Sequence, residues 1–162
     1  RQADGVKTGH TDGAGYSLVG HATSAPRRMG LYVAIIGEPS RDQRARDAKR
    51  LLDWGFRQYS RVAALPPGGE IMRVPVRDRP GVTVPVAAAT PMSVTVRLGA
   101  QLSRTVVAPA EVVAPMAKGT VVGKVTVTSG ENVLGTRDLV VAQDVQAPSI
   151  LERVRSGVGR LL

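Results

Sequence analysis

The sequence contains no cysteine and few aromatic residues, and both shortages narrow the chemistry that it can perform. Without cysteine there is no disulfide, no thiolate nucleophile and no thiolate metal site. One Phe, one Trp and three Tyr leave little material for stacking nucleic-acid bases. No apolar run reaches the roughly 20 residues that a membrane-spanning helix needs. We predict no metal site, no cofactor and no transmembrane helix.

The positive charge is the next constraint. Lys and Arg exceed Asp and Glu by nine, which favours anionic surroundings such as an acidic polymer or an anionic membrane surface. The arginines are scattered and no groove-reading motif is present, so a nucleic-acid partner is not predicted. The chain shows no signal peptide, but it begins inside a motif, so we expect it to be the later part of a longer polypeptide.

The first third of the chain is typical of an antiparallel meander followed by a helix. We expect strands over 5–11, 16–23 and 28–37, joined by glycine- and proline-containing turns. The nearly continuous apolar run 31–36 predicts a strand buried on both faces. Ser40 is a plausible helix N-cap. An apolar stripe at helical spacing then predicts that the helix covers one sheet face; its members are Ala45, Ala48, Leu51, Leu52 and Phe56. Trp54 and Phe56 are expected to pack in the core, and the polar stretch 57–61 to end the helix.

The segment 65–69, Leu-Pro-Pro-Gly-Gly, is the clearest linker, and the composition changes beyond it. Short Val- and Thr-rich runs separated by Gly and Pro predict a small all-β sandwich or barrel. The candidate strands are 71–76, 82–86, 92–98, 104–107, 121–128 and 137–142.

The last segment, 148–162, predicts an amphipathic helix. Its apolar positions fall on one helical face, as expected of a helix that lies on a membrane surface; they are Ile150, Leu151, Val154, Val158, Leu161 and Leu162. A partner-binding or domain-packing helix would show the same stripe.

Lys7-Thr8-Gly9 is the most specific motif, because a K-T-G strand is one signature of serine penicillin-recognising enzymes. The frame 4–16 around it, the helix end 51–56, and the later 121–123 and 139–141 together resemble the C-terminal part of a low-molecular-mass penicillin-binding protein, a serine-type D-Ala-D-Ala carboxypeptidase. The resemblance implies an α+β chain: part of the catalytic domain (1–62), a β-sandwich domain (66–147) and an anchor helix (148–162). It also implies the periplasmic face of a bacterial inner membrane. A class A β-lactamase shares K-T-G but lacks a long β-domain after its last helix.

In such enzymes a serine attacks the D-Ala-D-Ala bond of a peptidoglycan stem peptide, or a β-lactam, and forms an acyl-enzyme. By resemblance, Lys7 supplies positive charge, Thr8 offers its hydroxyl to the substrate carboxylate, and Gly9 lets the substrate lie along the strand edge. The backbone N–H of His10 would complete the oxyanion hole; its side chain is either a general base or a pocket lining. Arg44 is either a carboxylate ligand or a solvated helix-face cation.

The departure from the family pattern is the missing nucleophile. No Ser is followed three positions later by Lys, and no S-x-N triad occurs. We therefore expect this chain to be inactive alone. Either an N-terminal part of the same enzyme carries S-x-x-K and S-x-N, or the product is a truncated, catalytically inactive envelope protein. In the second case its β-domain would serve as a binding or spacer module.

Overall fold

The computed structural model describes residues 2–147. The predicted anchor segment, 148–162, lies outside the described residues, and so do its six apolar positions. Within the described range the fold is mostly β with one helix, as the sequence pattern indicated. Its strands and helix, in chain order, are β1 (Gln2–Thr11), β2 (Gly15–Ser24), β3 (Met29–Glu38), α1 (Arg41–Gln58), β4 (Tyr59–Leu65), β5 (Glu70–Pro75), β6 (Thr83–Ala88), β7 (Met92–Arg97), β8 (Ser103–Val107), β9 (Val121–Ser129) and β10 (Asn132–Val141).

The chain divides into two compact units. Of the described residues, the first contains 2–62 together with 94–100, and the second contains 63–93 together with 101–147. The predicted domain limits, 1–62, 66–147 and 148–162, stay a prediction. Strands β4 and β7 pair with each other as a two-stranded sheet.

In the first unit, β1, β2 and β3 form the predicted antiparallel meander in that order, and α1 packs on one face. Ser40 caps α1 as expected, since its hydroxyl oxygen accepts from the Gln43 N–H at 3.1 Å. The core under the helix is small, with Val33, Ile35 and Ala48 at its centre. The helix ends at Gln58, within the polar stretch predicted to end it. Gly55 lets the helix approach β3 closely, since a Cβ there would lie 2.7 Å from a Leu31 methyl.

Two expectations about the first unit were wrong. Strand β3 is buried on one face alone: Val33 and Ile35 point to α1, while Tyr32 and Ile36 are 74% and 81% exposed. Alternation along a strand places these two pairs on opposite faces, and within residues 2–147 only the first is covered. Trp54 is 50% exposed, because it lies on the helix side turned away from the sheet.

The second unit is built on one antiparallel sheet with the strand order β5-β6-β10-β9-β8. Its inward positions alternate along the strands and are almost entirely aliphatic; the most buried are Val74, Val84, Val86, Val125, Val127, Leu139 and Val141. All six predicted strands beyond residue 69 are present, but only five of them form this sheet, because β7 pairs with β4. Strand β10 begins five residues earlier than predicted, and its pairing with β9 shifts register between Val133 and Gly135.

The sequence pattern missed strand β4. Its first residues, Tyr59-Ser60-Arg61, are polar enough to suggest a helix end. Their backbone is nevertheless extended, and the Arg61 N–H donates to the Arg27 carbonyl oxygen at 2.9 Å.

Candidate functional site

The K-T-G sequence lies in the middle of β1, at the edge of the three-stranded sheet. The register pairs Lys7 with Val19, Thr8 with Leu18 and Gly9 with Ser17. Among residues 2–147 no strand pairs with the outer edge of β1. In an antiparallel strand alternate N–H and C=O groups point away from the partner, so this edge presents free backbone groups to a peptide.

The three motif residues are exposed and open. The Lys7 ammonium donates to the Thr8 carbonyl oxygen at 3.0 Å, which leaves the charge on the strand surface. A Cβ built at Gly9 would meet nothing within 4 Å. The space beside Gly9 is therefore wide enough for another chain to lie against the backbone.

The β1–β2 turn fixes the end of this strand. The Ala14 N–H donates to the backbone carbonyl and the hydroxyl oxygen of Thr11, at 3.2 and 3.1 Å. Gly15 has a φ of +65°, and a Cβ there would lie 2.8 Å from the Glu38 carbonyl oxygen. Glycine is thus required at position 15 both by backbone conformation and by close packing.

His10 lies directly opposite Tyr16, and the two rings stack with centroids 3.9 Å apart and planes inclined by 32°. The Arg44 guanidinium carbon lies 5.8 Å from the centroid of the Tyr16 ring, within the distance at which a cation is attracted to an aromatic face. Two of the predicted site residues, His10 and Arg44, are therefore connected through Tyr16.

Arg44 is not the solvated cation that a helix-face position suggests. It is 9% exposed, and it donates to the Ser17 carbonyl oxygen at 3.2 Å. Ser17 is the cross-strand partner of Gly9, so the guanidinium lies one strand away from the K-T-G backbone. The solvated reading of Arg44 is wrong; its role as a carboxylate ligand stays a prediction.

Sequence reasoning also missed the partner of His21. No carboxylate lies near His21 in the sequence, but His21 Nδ1 lies 2.6 Å from the Asp4 carboxylate and its side chain is 20% exposed. The other side of the ring contacts Tyr32. The hairpin centred on 12–14 brings Asp4 close to His21 and Tyr16 opposite His10, so the turn position was the available signal.

Within residues 2–147 no group of three or more His, Asp or Glu side chains is arranged to hold a metal. In the same range, no helix is both long enough and apolar enough to cross a bilayer. A cavity of about 490 Å³ lies between the sheet and α1, with Leu18, Val33, Ala48 and Leu52 in its mainly apolar lining.

Comparison with known proteins gives a matching family and several similar proteins. Residues 59–147 match the family described as Penicillin-binding protein 5, C-terminal domain. The chain is 32% identical over 154 residues to D-alanyl-D-alanine carboxypeptidase DacA of Haemophilus influenzae, covering 93% of this chain and 39% of that protein. It is 36% identical over 148 residues to DacA of Escherichia coli strain K12, covering 88% of this chain and 36% of that protein.

A solved structure is also similar to most of this chain. The crystal structure of penicillin binding protein 5 from Haemophilus influenzae aligns with a TM-score of 0.59 and 32% identity, covering 90% of this chain and 43% of that one. The chain thus spans well under half the length of the proteins that it matches.

Proposed function

Since this chain belongs to the penicillin-binding protein 5 C-terminal domain family, we propose that it is the later part of a serine-type D-Ala-D-Ala carboxypeptidase. The complete enzyme trims the terminal D-Ala from peptidoglycan stem peptides through an acyl-enzyme. This chain contributes the K-T-G strand, and the acylated serine belongs to an N-terminal part that carries S-x-x-K and S-x-N.

The observation that carries the proposal is the position of K-T-G on an open sheet edge. A stem peptide can align along β1 as an added strand, with Gly9 offering room beside its backbone. Stem peptides and β-lactams both carry a carboxylate, for which Lys7 supplies charge and Thr8 a hydroxyl donor. The His10 N–H would share the developing oxyanion with the N–H of the serine.

Arg44 has two roles in this proposal. Its hydrogen bond to Ser17 fixes the strand behind Gly9, and its charge adds to the positive field in which a substrate carboxylate binds. The guanidinium is nearly covered in this chain, so it would act on the carboxylate mainly through that field and through the strand it holds.

The test is acylation of the complete enzyme by a labelled penicillin, followed on a gel. Lys7→Ala should lower the acylation rate about 10²- to 10³-fold, the usual effect of removing one group that stabilises transition-state charge. Lys124→Ala is the matched control, because it removes the same charge from an exposed ion pair with Asp138 in the second unit. Equal labelling of both variants would exclude Lys7 from the mechanism.

A second function is favoured by one observation, the absence of any S-x-x-K in the sequence. The chain would then be a catalytically inactive envelope protein whose β-domain serves as a binding or spacer module. Labelled penicillin also separates the two: if no preparation containing this chain takes up label in any partner polypeptide, the spacer function is favoured and the carboxypeptidase proposal fails.

We further propose that 148–162 attaches the protein to the periplasmic face of the inner membrane. The support is the apolar stripe with Arg153, Arg155 and Arg160 outside it, a pattern suited to an anionic interface. Deleting 149–162 should abolish cosedimentation with vesicles that contain anionic lipid, while leaving penicillin acylation in detergent unchanged. Undiminished cosedimentation of the deletion variant would overturn the anchor.

A further inference from the structure

The stack of Arg44, Tyr16 and His10 connects the helix to the end of the K-T-G strand. We infer that Tyr16 is a positioning residue: it holds His10 in the orientation that acylation requires. This inference rests on the proposed function, because it gives Tyr16 a role in the same site.

The first argument is the strand register of the β1–β2 hairpin. His10 and Tyr16 are directly opposite in the β1–β2 register, where side chains on one face come within contact distance. Gly15 precedes Tyr16 and is packed against the Glu38 carbonyl oxygen of β3. The backbone that carries the tyrosine is therefore fixed from the third strand as well as from the turn.

The second argument is the support behind the ring. Arg44 is nearly buried, and its guanidinium is oriented by the Ser17 carbonyl oxygen. It lies 5.8 Å from the Tyr16 ring centroid, and the His10 ring lies 3.9 Å from the same centroid. The tyrosine thus contacts both a group anchored on α1 and the histidine that follows K-T-G.

The third argument is the freedom that His10 would have without the Tyr16 ring. His10 is exposed on an edge strand, where a side chain samples several rotamers and the backbone moves with the strand end. The proposed reaction needs the His10 N–H at a fixed place, and misplacement by about 1 Å can lower a rate about 100-fold. A stacked ring restricts both the imidazole and the residue that carries it.

The stack can be measured directly, because the chain has only two histidines and each stacks on a tyrosine. In the proton NMR spectrum of the wild-type chain, we expect a nuclear Overhauser contact between the Tyr16 and His10 rings. Tyr16→Leu should remove the ring-current displacement of the His10 signal and leave that of His21 in place. Tyr32→Leu is the matched control and should do the reverse. Absence of the His10–Tyr16 contact in the wild type would overturn the inference without any variant.

The functional test uses single-turnover acylation of the complete enzyme at increasing penicillin concentration. Tyr16→Leu should lower the maximal acylation rate about 10- to 100-fold with a small change in half-saturating concentration. Tyr16→Phe keeps the ring and should restore the rate to within about threefold of the wild type. A residue that only stabilised the hairpin would change the melting temperature and not this rate at a temperature where the variant is folded.

The outcomes separate the two proposals. If Lys7→Ala abolishes acylation and Tyr16→Leu acylates normally, the positioning role is overturned and the carboxypeptidase function stands. If Lys7→Ala acylates normally, the proposed function fails and the catalytic part of this inference fails with it. Equal losses for Tyr16→Leu and Tyr16→Phe would also contradict the stack, because the ring is present in the second.

Discussion

The three-stranded sheet of the first unit and the five-stranded sheet of the second bury their apolar side chains to different extents. In the second unit the inward-facing valines of β5, β6, β9 and β10 are completely covered, whereas β3 has one covered and one open face and even its covered residues, Val33 and Ile35, are 8% and 7% exposed. Among the largest fully buried side chains within residues 2–147, Phe56 alone belongs to the first unit. The second sheet is thus stabilised by its own core. The stability of the first sheet depends more on its turns and on the helix cap.

The largest effect that tests this comparison is truncation in the second core. Leu139→Ala should destabilise the second unit by about 2–5 kcal/mol, since it deletes a fully buried side chain. Leu18→Ala in the half-buried core of the first unit is the control and should cost clearly less. Denaturant unfolding with residue-resolved hydrogen exchange would assign each loss to its unit; equal losses would break the comparison.

The turn between β1 and β2 should come next in size. Gly15→Ala forces a side chain into a positive φ and against the Glu38 carbonyl oxygen, so we expect a loss of roughly 1–3 kcal/mol in the first unit. Gly13→Ala is the control, because a Cβ at position 13 meets nothing within 4 Å and its φ is not positive. A neutral Gly15→Ala, measured by the urea midpoint, would show that the turn does not secure this sheet.

The helix cap is a smaller contribution to the same sheet. Ser40→Ala removes the acceptor for the Gln43 N–H and should cost about 1 kcal/mol. Ser40→Asp retains an acceptor and should restore most of it. Thermal unfolding followed by helical circular dichroism would detect the difference, and equal stability of both variants would contradict a capping role.

The smallest effect is expected on the open face of β3. Ile36→Ser should change the stability of this chain by no more than about 0.5 kcal/mol, because the side chain is almost fully exposed. Ile35→Ser, its buried neighbour, should be strongly destabilising in the same assay. If the two substitutions cost the same, the face assigned as open is covered in solution.

Strand positions and the Ser40 cap could be predicted because each depends on short-range rules: alternation, turn residues and an acceptor at the helix start. Strand β4 could not, since its polar residues are extended through backbone pairing, which local composition does not report. The exposure of Tyr32 and Trp54 was missed for a different reason. An apolar residue in a strand or helix shows that burial is favourable, but not that this chain supplies the cover.

The motif of the candidate site could be predicted from the sequence, but the contacts between its side chains could not. Lys7, Thr8 and Gly9 were recognisable from their order alone. The contact of His10 with Tyr16 depends on register, and that of Arg44 with Ser17 depends on how α1 packs on the sheet. Arg44 lies one helical turn before Ala48 and is buried with it on the face that packs on the sheet, but its charge suggested a solvated position.

The hairpin register also restricts how this part of the sequence can vary in length during evolution. From Gly5 to Thr11 every residue of β1 keeps its partner on β2 through one turn. Shifting this register by one residue would place each β1 side chain opposite a different β2 residue and, because strand faces alternate, turn it to the other side. The loop at 66–69 carries no such constraint, so insertions should accumulate there among relatives while the spacing from Lys7 to Tyr16 stays fixed.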